Sequence, residues 1–366
     1  MKRLVLMIIP AFICGVMLTN CDSNEESEES DSPNVASMLT FDNWEISKSE
    51  LGFEINIRGI HFVNAETGFI VGYNGEIYKT NNAGKTWQKQ NSGTKSHLQS
   101  VFFLDENIGF ASSGWGCFDV GCNGCVFLKT TNGGEKWTKE FVDDYWAIQN
   151  LHFFDNQNGL AIFFTPQGSL AKPNTKYSYI AKTSNGGDSW DIIDLEIYYS
   201  TNKFYCFDNI VYIVGANQKI FKSKDQGNSW ETIHTPIETW YSVRNIHFIN
   251  ENIGFIDGIS NFYKTVDGGL NWEEVDFPFS SFGTFHFYNE TEGFNVIDVW
   301  KYEGIGCFPT YKGCITYQTY DGGGTWNESE LVYSYYWRLT HFVQRDLGYG
   351  INISQFFTIK RLEAGR

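Results

Sequence analysis

Proline is scarce in this chain, with seven in 366 residues against 36 glycines. A chain with that ratio is punctuated by glycine turns rather than proline kinks, and aromatic residues at 17% fill the stretches between them. The combination reads as many short strands. Positive charge is also in short supply, with 27 Lys and Arg against 43 Asp and Glu, a formal net charge of −16. A field of that sign repels phosphate backbones and excludes nucleic acid as a partner. Long apolar runs are missing too. Leu4 to Leu18, behind the basic start Met1-Lys2-Arg3, has signal-peptide rather than membrane-spanning length. Residues 1–20 are therefore expected to be a cleaved export signal.

That segment ends Leu18-Thr19-Asn20-Cys21, which resembles a bacterial lipoprotein cleavage box, although Asn20 stands where Gly or Ala is usual. The resemblance implies lipidation of Cys21 and anchoring in the cell envelope, at the outer membrane. From Asp22 to Pro33 the chain is Ser and acid with almost nothing apolar to bury, so residues 21–40 are expected to be a disordered tether. An acidic run directly after an acylated Cys also resembles the surface-export signal of some Gram-negative lipoproteins; a solvated spacer is the alternative. Either way, the anchor is the expected contact with a membrane.

Residues 41–366 repeat. The pattern T/S-x-D/N-x-G-x-x-W occurs at Thr80 to Trp87, Thr130 to Trp137, Thr183 to Trp190, Ser223 to Trp230, Thr265 to Trp272 and Thr319 to Trp326. Each copy joins a short polar side chain able to bond its own downstream backbone, a Gly that tolerates positive φ and a Trp re-entering an apolar layer. That describes a tight turn between two strands with an aromatic anchor at its exit. Upstream of each lies a second block, a Phe followed six residues later by Gly: Phe62 with Gly68, Phe103 with Gly109, Phe153 with Gly159, Phe248 with Gly254, Phe287 with Gly293 and Phe342 with Gly348. A degenerate seventh is Phe204-Tyr205 with Val211-Tyr212.

Seven blocks against six complete turns are reconciled at the chain ends. Trp44 precedes Phe62 by 18 residues, while the other anchors precede the next block by 15 to 18. Trp44 is thus a seventh anchor separated from its turn, and the terminal Phe356-Phe357-Thr358-Ile359 run lacks one. Pairing the two closes a ring and removes exposed sheet edges. The prediction is all-β: a seven-bladed β-propeller with four strands per blade. The innermost strand carries the His-Phe block, the outermost begins at the Trp, and the N-terminal strand completes the C-terminal blade.

These turns resemble the Asp-box, or BNR, repeats of sialidases and related propellers. The whole repeat, Gly-Phe-x-x-Gly and then Lys-Thr-x-Asp-Gly-Gly-x-x-Trp, most resembles the photosystem II assembly and stability factor family and its non-photosynthetic bacterial relatives. The resemblance covers Trp44 to Ile359 and implies the fold; propellers of this repeat include enzymes, receptors and scaffolds, so it does not choose among them.

Regularity argues against chemistry at the repeated residues. His61, His152, His247, His286 and His341 share one repeat position and are read as structural, as are the turn Asp and Asn side chains; no metal and no cofactor are expected. Two cysteine pairs echo each other, with the second Cys of each lying five residues before the Thr of a turn. Disulfides are expected between Cys117 and Cys125 and between Cys307 and Cys314, pinning hairpin insertions in an oxidising compartment. A zinc site from Cys117, Cys122 and Cys125 is the rival, without a fourth ligand; Cys122 and Cys206 stay unassigned.

What the repeat does not explain points elsewhere. Of twelve Trp, seven are anchors; the rest are Trp115, Trp146, Trp240, Trp300 and Trp337. Trp115 and Trp300 are placed in insertions between second and third strands, and the other three just before innermost strands, connections that all open on the face opposite the turns. Tyr145, Tyr198, Tyr199, Tyr241, Tyr335 and Tyr336 accompany them, and Arg58, Arg244 and Arg338 share a register four residues before their Phe. Aromatic area at a concave mouth suits a partner, and the arginines suit an anion. Sealing of the core under long loops, and ion pairing of the arginines to loop acids, are the structural alternatives.

Three arginines also invite a sialidase reading. The chain has no Arg-Ile/Leu-Pro start and no identifiable Tyr-Glu pair, and Asp143, Asp144, Glu238, Asp298 and Glu303 show no pairing for glycosidic acid and nucleophile. The expectation is a non-catalytic, monomeric binding or assembly propeller that holds a protein segment or a glycan, with a glycoside hydrolase or lyase acting on acidic glycans as the alternative.

Overall fold

The computed structural model describes residues 38–41, 44–114, 124–143, 147–164, 178–195, 201–215, 219–237, 243, 245–258, 261–276, 283–301, 310–328, 339–351 and 355–362. They form seven antiparallel blades of a β-propeller. Blade 1 is Ile57–Phe62, Gly68–Gly72, Ile77–Thr80 and Gln88–Gln90, and blade 2 is Leu98–Phe103, Gly109–Ser113, Gly124–Thr130 and Thr138–Asp143. Blade 3 is Ala147–Phe153, Gly159–Phe164, Ser178–Thr183 and Asp191–Ile193; blade 4 is Thr201–Phe207, Ile210–Gly215, Lys219–Ser223 and Glu231–His234. Blade 5 runs Asn245–Phe248, Gly254–Asp257, Phe262–Thr265, Glu273–Val275, and blade 6 Gly283–Phe287, Gly293–Lys301, Thr310–Thr319, Asn327–Glu328. Blade 7 takes Leu339–Gln344, Leu347–Ile351 and Gln355–Arg361 from the C-terminal end and its fourth strand, Trp44–Glu50, from the N-terminal end.

The ring closes as the anchor spacing predicts, with Trp44 opposite Arg361 and Glu50 opposite Gln355. One boundary differs. Residues 38–40, assigned above to the tether, continue into Phe41 as the strand Met38–Phe41, which pairs with Trp44–Ser47 as an extra outer strand of blade 7. That outer pairing covers the backbone edge that Trp44–Glu50 would otherwise present to solvent.

The spacing of the repeat has a steric cause. At five blade seams the ring of the block Phe lies flat on the Phe or Tyr that follows the block Gly, or in blade 4 follows Val211, of the preceding blade: Phe69–Phe103, Phe110–Phe153, Tyr212–Phe248, Phe255–Phe287 and Tyr349–Phe62, with centroids 3.5 to 4.2 Å apart. The anchor Trp of the same blade meets that Phe edge-on, as Trp137 meets Phe103 at 5.9 Å and 88°. Each block Phe also covers its own Gly: a Cβ on Gly68 or Gly109 would meet the ring of Phe62 or Phe103 at 2.5 or 2.3 Å. Phe and Gly six residues apart are therefore one packing unit.

Blade 4 shows the converse and corrects the register. Tyr205 stands opposite Tyr212 and Cys206 opposite Val211, so Tyr205-Cys206, not Phe204-Tyr205, occupies the His-Phe positions. Its connecting turn, Asp208-Asn209, is one residue shorter than its counterparts. With the small Cys206 replacing Phe, Val211 is accommodated where the other blades hold Gly.

In the turns, Thr80 Oγ1 accepts from the Gly84 amide at 2.9 Å while Asn82 Oδ1 accepts from the Thr86 amide at 2.9 Å, and the other five copies keep the equivalent Gly-to-hydroxyl bond. Hydrogen bonds, chiefly from Ser229 and from the Asn271 amide, hold the carboxyls of Asp225 and Asp267 down at about 2. The turns are thus self-capped, and their acids are structural. Gly84 and Gly134 both sit at positive φ, +80° and +87°, but a Cβ at Gly84 would meet Phe356 at 2.1 Å whereas at Gly134 the nearest atom is 3.4 Å away. Gly84→Ala is expected to cost about 1–3 kcal/mol more than Gly134→Ala, because it adds overpacking to the shared backbone strain. Denaturant midpoints of the two variants measure the difference; equal losses would remove the packing role assigned to Gly84.

Candidate functional site

The histidine register forms the inner wall of the ring. His61 Nε2 lies 3.0 Å from Phe103 O, His247 Nε2 3.0 Å from Phe287 O, and His286 Nε2 2.9 Å from Arg345 O, each a contact into the next blade. A carbonyl only accepts, so Nε2 carries the proton and Nδ1 is bare, as at His341, whose Nδ1 accepts from the Phe62 amide at 3.2 Å. In blade 4 the Tyr205 hydroxyl replaces this donor and bonds Phe248 O at 2.7 Å. Burial pushes His152, His247 and His341 down to about 4, and it holds His61 and His286 well below the ordinary range, reinforced by His341 and His247 respectively. These rings are neutral inter-blade staples. Among the described residues no group of three or more His, Cys, Asp or Glu side chains is arranged to hold a metal.

A second set of staples lies farther out. Lys79, Lys222 and Lys264 donate to Gly133 O, Gly268 O and Gly322 O at 3.1, 2.9 and 3.3 Å, reaching the turn of the following blade in each case. At the blade 6 to blade 7 seam Arg361 grips both carboxylate oxygens of Glu292 through Nε and one Nη on a single guanidinium edge, at 3.0 and 2.8 Å.

Strand direction puts the repeated turns and the first loops of the blades on one face, where they bond directly, as Gly133 N to Asn107 O at 2.8 Å does. The opposite face receives the ends of the second strands and the starts of the innermost ones. There the described site begins at Arg58, on the bulge between Ile57 and Gly59. Its guanidinium donates to the Tyr73 hydroxyl and lies 4.8 Å over the Tyr73 ring, which stacks at 4.1 Å and 8° on His97 of the next inter-blade connection. His97 Nδ1 accepts from the Asn74 amide at 3.0 Å; burial and then the Arg58 charge lower its affinity for a proton. Tyr73 sits in the short 3-10 turn Tyr73–Gly75, with Asn74 at φ 58°. Arg58 Nε is buried and has no hydrogen bond. Among the described residues, the side chains that orient Arg58 are therefore aromatic.

Tyr73 and His97 escaped the sequence reading because neither belongs to a repeated position; the usable signal was that His97 falls outside the five-histidine register. Trp300, expected in an insertion, instead lies on the second strand of blade 6, opposite Tyr311, because that hairpin extends to Lys301 and Thr310. Asp298 is on the same strand, opposite Cys314, and Cys125 is opposite Val142. Trp115, Trp146, Trp240, Trp337, Tyr145, Tyr198, Tyr241, Tyr335, Arg244 and Arg338 lie outside the described residues, as do Cys21, Cys117, Cys122 and Cys307.

A family model described as photosynthesis system II assembly factor YCF48 matches residues 36–144, the span from the extra outer strand through blade 2. The fold of the solved protein titled "YCF48 bound to D1 peptide" matches 89% of this chain and 99% of its own at TM-score 0.63 and 16% identity. This is a BNR-type propeller similar to the Ycf48 family. YCF48 from Cyanidioschyzon merolae aligns at TM-score 0.59 and 14% identity over 86% of this chain and 98% of that one. The Ycf48 likeness in sequence reaches the photosystem II assembly lipoprotein Ycf48 of Synechococcus sp. (strain CC9902), 24% identical over 189 residues; that is 50% of this chain and 47% of the relative, so the chain spans about half the length of the curated protein it matches. An ancestral GH74 enzyme shares the fold at TM-score 0.57 and 16% identity, over 85% of this chain but only 45% of its own.

Proposed function

We propose that this Ycf48-like chain is a non-catalytic binding or assembly propeller, held at the cell envelope through a lipid on Cys21, that captures a protein segment on the face opposite its repeated turns. The observation that carries the reading is Arg58: a cation set by Tyr73 stacking with one buried N–H unmatched, at the mouth of the ring in an acidic molecule. An arginine so prepared suits a carboxylate or another anion of the partner, with Arg244 and Arg338 in the same register. Trp115, Trp146, Trp240, Trp300 and Trp337, with Tyr145, Tyr198, Tyr241 and Tyr335, would contribute the apolar contact area. Disulfides Cys117 to Cys125 and Cys307 to Cys314 would stiffen the hairpins that carry part of it. A relative solved with a peptide and a curated relative named as a lipoprotein support this reading.

The joint replacement of Trp146, Trp240 and Trp337 by Ala is expected to abolish capture of a partner from envelope extracts while the melting temperature stays within a few degrees of the parent. Collapse of the fold instead would assign those rings to the core. The shared GH74 fold keeps one alternative in view, a glycoside hydrolase or lyase acting on acidic glycans. Chromogenic sialosides and uronic-acid polymers separate the two, since turnover lost on Arg244→Ala would overturn a binding-only role.

A further inference from the structure

The six turns act as controls for one another. They share one backbone bonding scheme, so the two variable positions, after the Thr or Ser and after the conserved Gly, are free to carry any soluble residue. They hold Asn81 and Lys85, Thr131 and Glu135, Ser184 and Asp188, and Lys224 and Asn228 in blades 1 to 4. In blade 5 they hold Val266 and Leu270, which are 66% and 72% exposed. The next turn adds Tyr320 at 42%. Nothing in the turn needs these apolar side chains, and exposing them has a solvation cost.

The blade 5 turn also borders a cleft of about 760 Å³ lined by Asp208, Lys222, Lys224, Glu251 and Asp267 among others. It opens at the seam with blade 4, where the Asp208-Asn209 turn is one residue short of the usual loop. Its charges are unequally committed. Lys222 donates to Gly268 O at 2.9 Å, Lys224 pairs with Glu231 at 3.5 Å, and Asp267 receives the Asn271 amide at 2.9 Å. Asp208 and Glu251 have no side-chain hydrogen bond or ion pair among the described residues. The uncommitted charge of the cleft is therefore negative, beside an exposed Val and Leu.

We propose that the turn face of blades 4 and 5 is a second docking surface, for an extended protein segment that alternates apolar residues with Lys or Arg. Val266 and Leu270 take the apolar side chains; Asp208 and Glu251 receive the cation. The net charge of −16 disfavours a second copy of the chain or an anionic bilayer as the occupant. This site is independent of Arg58 and the face around it.

The test uses the full chain and a fluorescein-labelled decapeptide of alternating Leu and Lys, with Ser-for-Leu and Glu-for-Lys peptides as controls. Val266→Thr/Leu270→Asn places in blade 5 the residues that the turns of blades 2 and 4 already carry, so the fold should be retained. The double variant is expected to weaken binding at least about tenfold with an unchanged melting temperature, and Glu251→Gln is expected to weaken it about threefold and flatten its salt dependence. Equal binding by the double variant, or equal binding of the Ser-for-Leu peptide, overturns the proposal. So does loss of binding on Arg58→Ala, which would place the peptide on the other face, or a sedimentation-detected dimer that the double variant abolishes, which would make the occupant a second copy.

Discussion

Between pH 6.5 and 4 the propeller is expected to lose most of its stability. His152, His247 and His341 are held at about 4 by burial, while the same side chains in the unfolded chain titrate near about 6.5. As pH falls below the unfolded value, the unfolded state binds protons that the folded state refuses, so the contribution is complete above about 6.5 and gone once pH passes the folded value. Each of the three is worth about 3 kcal/mol over that window, and together they approach the whole stability of an ordinary domain. His61 and His286 shift in the same direction. The turn carboxylates act only later, because their contribution is lost as pH falls from the unfolded value of about 3.9 through the folded value of about 2, where they take up protons.

The repeat itself supplies the control. Phe102 stands in the histidine register of blade 2, opposite Phe110, and Tyr205 in that of blade 4. A His152→Phe/His247→Tyr variant should unfold at a lower pH than the parent while keeping comparable stability at pH 8, followed by intrinsic Trp fluorescence. An unchanged acid midpoint would show that the inner histidines do not govern the transition.

The second large effect is expected at the ring closure. Trp44 is 1% exposed and meets Phe294 edge-on at 5.0 Å, in a cluster with Ile46, Val296, Phe357 and Ile359. Trp44→Ala should cost about 3–5 kcal/mol from the cavity alone. Removing everything before Leu51 should do more, because it leaves the edge of Gln355–Arg361 unpaired and opens the ring between blades 7 and 1. A truncated chain that melts like the parent would show that closure rests on blade 7 without its N-terminal strand. If the strand is the closure, a synthetic peptide of residues 36–50 added to the truncated chain should restore a cooperative transition by strand addition.

The fold was legible because the repeat exposes its own packing rule. Phe62 must lie on Gly68 and Trp87 must meet Phe62 edge-on, so the three recur together at fixed spacing in blade after blade. Trp44 could be recognised as a displaced anchor by that spacing alone. The errors fell where a backbone adjustment left no trace in residue type. The shortened Asp208-Asn209 turn moved Tyr205 and Cys206 into register in place of Phe204 and Tyr205. The extended blade 6 hairpin placed Trp300 on a strand, and Met38–Phe41, short and beside an acidic stretch, carried too little pattern to reveal a fifth strand.

By itself, the sequence determined that this is an acidic, seven-fold repeated β chain closed by its own N-terminal strand, because strand period, turn chemistry and anchor spacing are all local in the chain. The tertiary structure decided which side chains meet. Arg58 is oriented by Tyr73 and His97 from two different connections, and the exposed Val266 and Leu270 border a cleft whose opposite wall belongs to blade 4. Those neighbours are brought together by blade packing around the ring, and no periodicity along the chain encodes which loop lies beside which.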